Sequence, residues 1–65
     1  MTPIPKQEYI GLTEQDAEKK SQEDGYWLFH TLERDGTHYP ISASFCINRL
    51  TVRVKDDIVI KAEQG

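Results

Sequence analysis

The sequence has few of the devices that hold small domains together. One cysteine, Cys46, stands among 65 residues, so no internal disulfide can form. Together with His30 and His38 it lacks the spacing of a zinc site. No apolar run approaches the roughly 20 residues of a membrane span. Residues 1–8 lack the apolar stretch of a secretory signal. Met1 reads as a native start, so a cytoplasmic protein is the expectation, and a secreted one only if a leader has been removed. Basic residues are outnumbered, 8 Lys and Arg against 11 Asp and Glu, for a net charge of -3. That balance argues against nucleic acid or an anionic membrane as partner, since either favours a basic patch. Internal repeats and low-complexity tracts are also missing.

What remains is enough for one domain. A chain of this length buries only about 60% of the surface its unfolded form exposes. Such a core supplies roughly 3–5 kcal/mol. Stability must therefore come from a compact apolar set and sound local geometry, and a monomer is expected.

Pro3 and Pro5 sit in a segment without periodicity, and residues 1–8 read as a flexible, extended or frayed arm. Tyr9 and Ile10 are its first anchored positions. Thr13 then has the chemistry of a helix cap, with Glu14 and Asp16 at the positive end of the dipole. Leu12 before the cap can pack back onto Ala17. Gly25 supplies the left-handed stop. This helix is too polar to stand alone. It must lie on a sheet and turn Glu18, Lys19, Lys20 and Glu23 to water.

Residues 26–33 are rich in aromatic residues and predict a buried strand, with Tyr26, Trp27 and Phe29 in the core. Arg34-Asp35-Gly36 is turn chemistry. Residues 49–55 alternate, with Leu50, Val52 and Val54 on one face and Arg49, Thr51, Arg53 and Lys55 on the other. Asp56-Asp57 turns the chain, and Ile58, Ile60 and Ala62 are expected to continue the apolar face. The fold class is thus α+β, one helix packed on a small mixed sheet.

Residues 37–48 form a long connection for so small a domain. They contain no charged residue and no glycine. Pro40 fixes its own φ and favours an extended Tyr39. Ile41, Ala43 and Phe45 alternate with Ser42 and Ser44. Two readings are open from these residues alone: another strand of the sheet, or an extended segment offered to a partner's cleft. Long connections without their own secondary structure are often functional.

No catalytic constellation accompanies it. His30 and His38 have no nucleophile partner, Cys46 reads as a small buried hydrophobe, and Asp56-Asp57 reads as a turn and not a metal loop. The chain is expected to be neither an enzyme nor a metalloprotein, and no cofactor is implied.

Arg34-Asp35-Gly36, the run Pro40-Ile41-Ser42-Ala43-Ser44-Phe45 and the strand opening Asn48-Arg49-Leu50 together resemble the potato inhibitor I family. They are most similar to its microbial branch of fungal elastase inhibitors, and Leu12-Thr13-Glu14 with Ala17 is similar to the family's helix opening. The resemblance implies a helix on a small mixed sheet with an exposed binding loop, Pro40 to Phe45, that inhibits a serine protease by mimicking substrate. It implies that Ala43 donates the scissile carbonyl, that Ser44 follows it and that Ser42 precedes it. It implies that Arg49 supports the loop from the scaffold side. Thr51 stands where plant members carry a second arginine and shares that supporting role. The small Ala43 suits elastase- or subtilisin-like pockets. The other function weighed is a non-inhibitory interaction module on the same scaffold, with another protein as its partner.

Overall fold

A computed structural model describes residues 4–40 and 46–65. The chain forms strand β1 (Ile4–Pro5), a short 3-10 turn (Gln7–Tyr9), helix α1 (Glu14–Glu23), then β2 (Leu28–Arg34), β3 (Thr37–His38), β4 (Arg49–Lys55) and β5 (Ile58–Gln64). The five strands make one mixed sheet in the order β1-β5-β4-β2-β3. The pairing of β2 with β4 is parallel, and the other three pairings are antiparallel. The architecture is α+β, with one helix on one face.

The helix starts and stops where the chemistry of Thr13 and Gly25 requires. Thr13 Oγ1 accepts the Asp16 N–H at 3.1 Å, which satisfies one of the open donors of the first turn. At the far end Gly25 takes φ +91°. The Tyr26 N–H then reaches back to Ser21 O and the Gly25 N–H to Gln22 O. This double bond pattern closes the last turn and needs a residue comfortable at positive φ.

The apolar face of β4 behaves as its alternation predicts. Leu50, Val52 and Val54 are buried and form one cluster with Tyr9, Ala17, Val59 and Ala62. Leu12, Tyr26 and Phe29 pack against the edge of that cluster. Tyr9 closes it from the N-terminal side, its ring edge-on to Tyr26 and its hydroxyl donating to Asp24 Oδ2 at 2.5 Å.

Three expectations are corrected. In β5 the apolar face is carried by Val59 and Ala62, whereas Ile60 is 50% exposed and Ile58 is only partly covered. The pairing explains this. Arg53 faces Lys61 but Val54 faces Val59, so Ile60 is an extra residue. A bulge of this kind reverses the inside–outside parity along one strand.

The aromatic segment is shifted as well. Its strand begins at Leu28, and its residues are half-buried at best. Trp27 is 84% exposed and lies outside the core. Strand β2 is flanked on its outer side, among the described residues, by the two residues of β3.

The N-terminal segment expected to be a flexible arm is pinned in part. Ile4 pairs with Gln64 and Pro5 with Glu63, and the Lys6 N–H donates to Ala62 O. Pro5 is tolerated because β1 is an edge strand.

Candidate functional site

The segment Ile41, Ser42, Ala43, Ser44 and Phe45 lies outside the described residues. The residues on either side of it are described.

On the entry side, the Tyr39 N–H donates to Leu32 O at 2.8 Å, holding the chain against β2 just beyond β3. Arg34 lies over the Tyr39 ring, 5.5 Å from its centroid. Arg34 Nη2 also meets Glu14 Oε2 at 2.6 Å, an oxygen that accepts from Thr31 Oγ1 too. These donors hold the Glu14 carboxyl below its usual range, Arg34 first, against an opposing push from burial. Pro40 follows Tyr39 and is exposed.

The exit side is tied more densely. The Arg49 N–H donates to Cys46 O, and Asn48 O accepts from both the Trp27 and the Leu28 N–H, at 2.9 and 3.1 Å. Gln64 Nε2 donates to Ile47 O at 2.8 Å. The return limb is therefore fixed to β2, to its own strand and to the end of β5.

Beneath these anchors, Arg49 and Thr51 converge on one acceptor. Arg49 Nε donates to Gly65 O at 2.9 Å, and Thr51 Oγ1 donates to the same oxygen at 3.0 Å. The Gly65 N–H in turn donates to Arg49 O. The cause is strand register: Leu50 faces Gln64 and Thr51 faces Glu63, so the residue after β5 arrives beside Arg49. Both side chains leave the face of β4 opposite Leu50 and Val52, away from the helix. Arg49 is half-buried, and its planar fork keeps a fixed direction once one nitrogen is held.

The sequence marks Arg49 and Thr51 as outward-facing residues of β4 but gives no sign of Gly65 and Gln64 beside them. No local pattern marks those two. Their roles depend on β5 lying beside β4 in one register, and only the sheet supplies that.

The remaining polar groups differ in how they are satisfied. His30 Nε2 is buried without a hydrogen-bond partner among the described residues. His38 sits within 3.2 Å of Glu33. Cys46 is a free thiol of intermediate burial. Asp56 and Asp57 take φ +51° and +67°, the left-handed pair of a two-residue hairpin turn. The Asp56 N–H bonds Asp35 Oδ1, so the two sheet turns are tied together. Among the described residues, no group of three or more His, Cys, Asp or Glu is placed to hold a metal ion.

Comparison with known proteins returned no matching family model, no matching curated protein and no matching solved structure.

Proposed function

We propose that this chain is a serine protease inhibitor that presents the bond between Ala43 and Ser44 as a substrate would. The observation that supports the reading is the convergence of Arg49 and Thr51 on Gly65 O, in the strand that directly follows the anchored return limb. Tyr39 on the entry side and Cys46, Ile47 and Asn48 on the exit side are hydrogen-bonded before any partner docks. Preorganisation of that kind contributes affinity by lowering the entropic cost of binding.

In this mechanism the protease serine attacks the Ala43 carbonyl, and the oxyanion hole takes the developing charge. If the bond breaks, Ala43 becomes the acyl ester and Ser44 leaves as an amine carrying the transferred proton. The dense anchoring of Cys46, Ile47 and Asn48 keeps that amine at the ester. Its return re-forms the peptide bond and frees the serine, so resealing competes with hydrolysis. Ala43 places only a methyl group in the specificity pocket, which suits elastase- or subtilisin-like enzymes.

The test is a titration of subtilisin and of a pancreatic-type elastase with the wild-type protein and with Ala43→Asp. Wild type is expected to remove activity stoichiometrically from at least one enzyme. Ala43→Asp should raise the inhibition constant at least about 1000-fold, equivalent to roughly 4 kcal/mol, with an unchanged circular dichroism spectrum. Failure of the wild-type protein against both enzymes, with capture of a stable non-protease partner, would select the non-inhibitory interaction module instead.

A further inference from the structure

Helix α1 packs on the face of the sheet that carries Leu50 and Val52, and the opposite face has no helix over it among the described residues. Register fixes which side chains stand on that open face. Arg53 pairs with Lys61 of β5 on one side and with Glu33 of β2 on the other. Directly paired residues of neighbouring strands share a face, so Lys61, Arg53 and Glu33 form one row across three strands. His38 of β3, paired with Glu33, ends the row.

As a piece of sheet the row is poorly made. Like charges directly opposite each other on neighbouring strands are destabilising, and Arg53 and Lys61 are such a pair. The carboxylates nearby turn elsewhere. Glu33 Oε2 lies 3.2 Å from His38 Nε2, and Glu63 Oε1 lies 3.1 Å from Lys61 Nζ. Among the described residues no ion pair reaches Arg53, which is half-buried beside an exposed Lys61. Positions that break a local rule with no return in stability are expected at functional sites.

Charge on this face also departs from that of the molecule. Four cations, Arg49, Arg53, Lys55 and Lys61, stand there against two carboxylates, Glu33 and Glu63. The whole chain carries -3, and helix α1 on the far side holds four acidic residues against two lysines. Arg49 is turned onto Gly65 O, and Lys55 borders the acidic turn Asp56-Asp57, to which Asp35 is tied. The positive charge is therefore centred on Arg53 and Lys61.

We propose that this open face docks an acidic peptide segment of a partner protein, with one of its carboxylates seated between Arg53 and Lys61. A carboxylate there replaces one repulsion by two attractions and supplies the charged acceptor that Arg53 lacks. The contact is separate from the Ala43–Ser44 bond, because Arg53 lies beyond Thr51 along β4, further from the return limb. A peptide suits the face better than nucleic acid does. Glu33 and Glu63 flank the two cations and oppose an unbroken row of phosphates, whereas an extended peptide spaces its carboxylates on alternate residues.

The experiment measures fluorescence anisotropy of a fluorescein-labelled peptide of alternating serine and glutamate, titrated with the intact protein at low salt. Wild type is expected to bind it and to ignore the same peptide with glutamine for glutamate. Arg53→Gln and Lys61→Thr should each raise the dissociation constant about 5- to 10-fold, while Lys19→Gln on the helix leaves it unchanged. Raising salt from about 20 to about 200 mM should weaken binding roughly 10-fold. Without peptide, Lys61→Thr should raise the thermal midpoint by about 2–4 °C, because the like-charge pair is gone. A lowered midpoint would show that the two cations do not repel, and the proposal would fall. Absence of binding by wild type, equal binding by every variant, or equally tight binding of an oligothymidylate would each refute it. If sedimentation at low salt shows self-association that Arg53→Gln disperses, the face belongs to a second copy and the proposal is wrong. None of these measurements involves protease, so failure here leaves the inhibitor reading standing, and the reverse.

Discussion

Arg49 occupies a position where a charge would ordinarily be left to water, on the outer face of a strand. It is instead half-buried and aimed at Gly65 O. A hydrogen bond from a charged donor is among the stronger ones in proteins, worth about 1.5–3 kcal/mol. Arg49→Ala should therefore loosen the floor beneath the return limb while leaving Leu50, Val52 and Val54 packed. The expected result is a 10- to 100-fold rise in the inhibition constant, and inhibition that fades with time as the loosened segment is hydrolysed. Arg49→Lys should fall between, because an ammonium cannot reproduce the planar fork. Progress curves over several hours would show it; a variant that inhibits as firmly and as durably as wild type would remove Arg49 from the mechanism. Arg49 and Thr51 were legible as outward-facing residues from alternation alone. Their shared acceptor was not, because Gly65 is 16 residues away and meets Arg49 only through sheet register.

At the scale of elements, cap chemistry and strand alternation were the dependable signals. Thr13 caps as its side chain dictates, and Thr13→Ala is expected to cost about 1 kcal/mol. For a domain of this size that lowers the melting midpoint by roughly 4–8 °C, measurable by circular dichroism, with inhibition per folded molecule unchanged. An unchanged midpoint would mean that the Asp16 N–H is satisfied equally well without Thr13. β4 was legible because it is the central strand with one face against the helix. β5 misled because its bulge at Ile60 breaks the period, and nothing in Ile-Val-Ile-Lys-Ala marks a bulge. The segment around Trp27 misled for another reason: aromatic content reports what can be buried, and the reach of a ten-residue helix decides what is.

At the scale of the whole molecule, two titrating clusters link stability to pH. Hydrogen bonds from Arg34 and Thr31 hold Glu14 low, and those from Tyr9 and Lys20 hold Asp24 low. A carboxyl depressed in the fold adds stability above its unfolded pKa, near 4, and that stability is lost as pH falls through the lower folded value. Burial, and then the bond to Asp24, pushes the Tyr9 phenol upward. A phenol raised in the fold adds stability below pH 10 that is lost as pH rises through the folded value. Tyr26, raised by burial, and Lys20, raised by Asp24, act in the same direction. Urea midpoints are thus expected to be flat from about pH 5 to about pH 9 and to fall on both sides. Glu14→Gln should shallow the acid limb and Tyr9→Phe the alkaline limb. An acid limb of unchanged slope in Glu14→Gln would place the linkage elsewhere.

The central claim is that residues 41–45 behave as a tethered substrate, and one measurement reaches it most directly. A subtilisin-like protease is mixed with an equimolar amount of this protein, and enzyme activity and inhibitor mass are followed together for a day. The account predicts stoichiometric loss of activity and a single new cut, between Ala43 and Ser44, that accumulates slowly and leaves both fragments associated. Full retention of enzyme activity, or rapid cutting at several bonds, would contradict it.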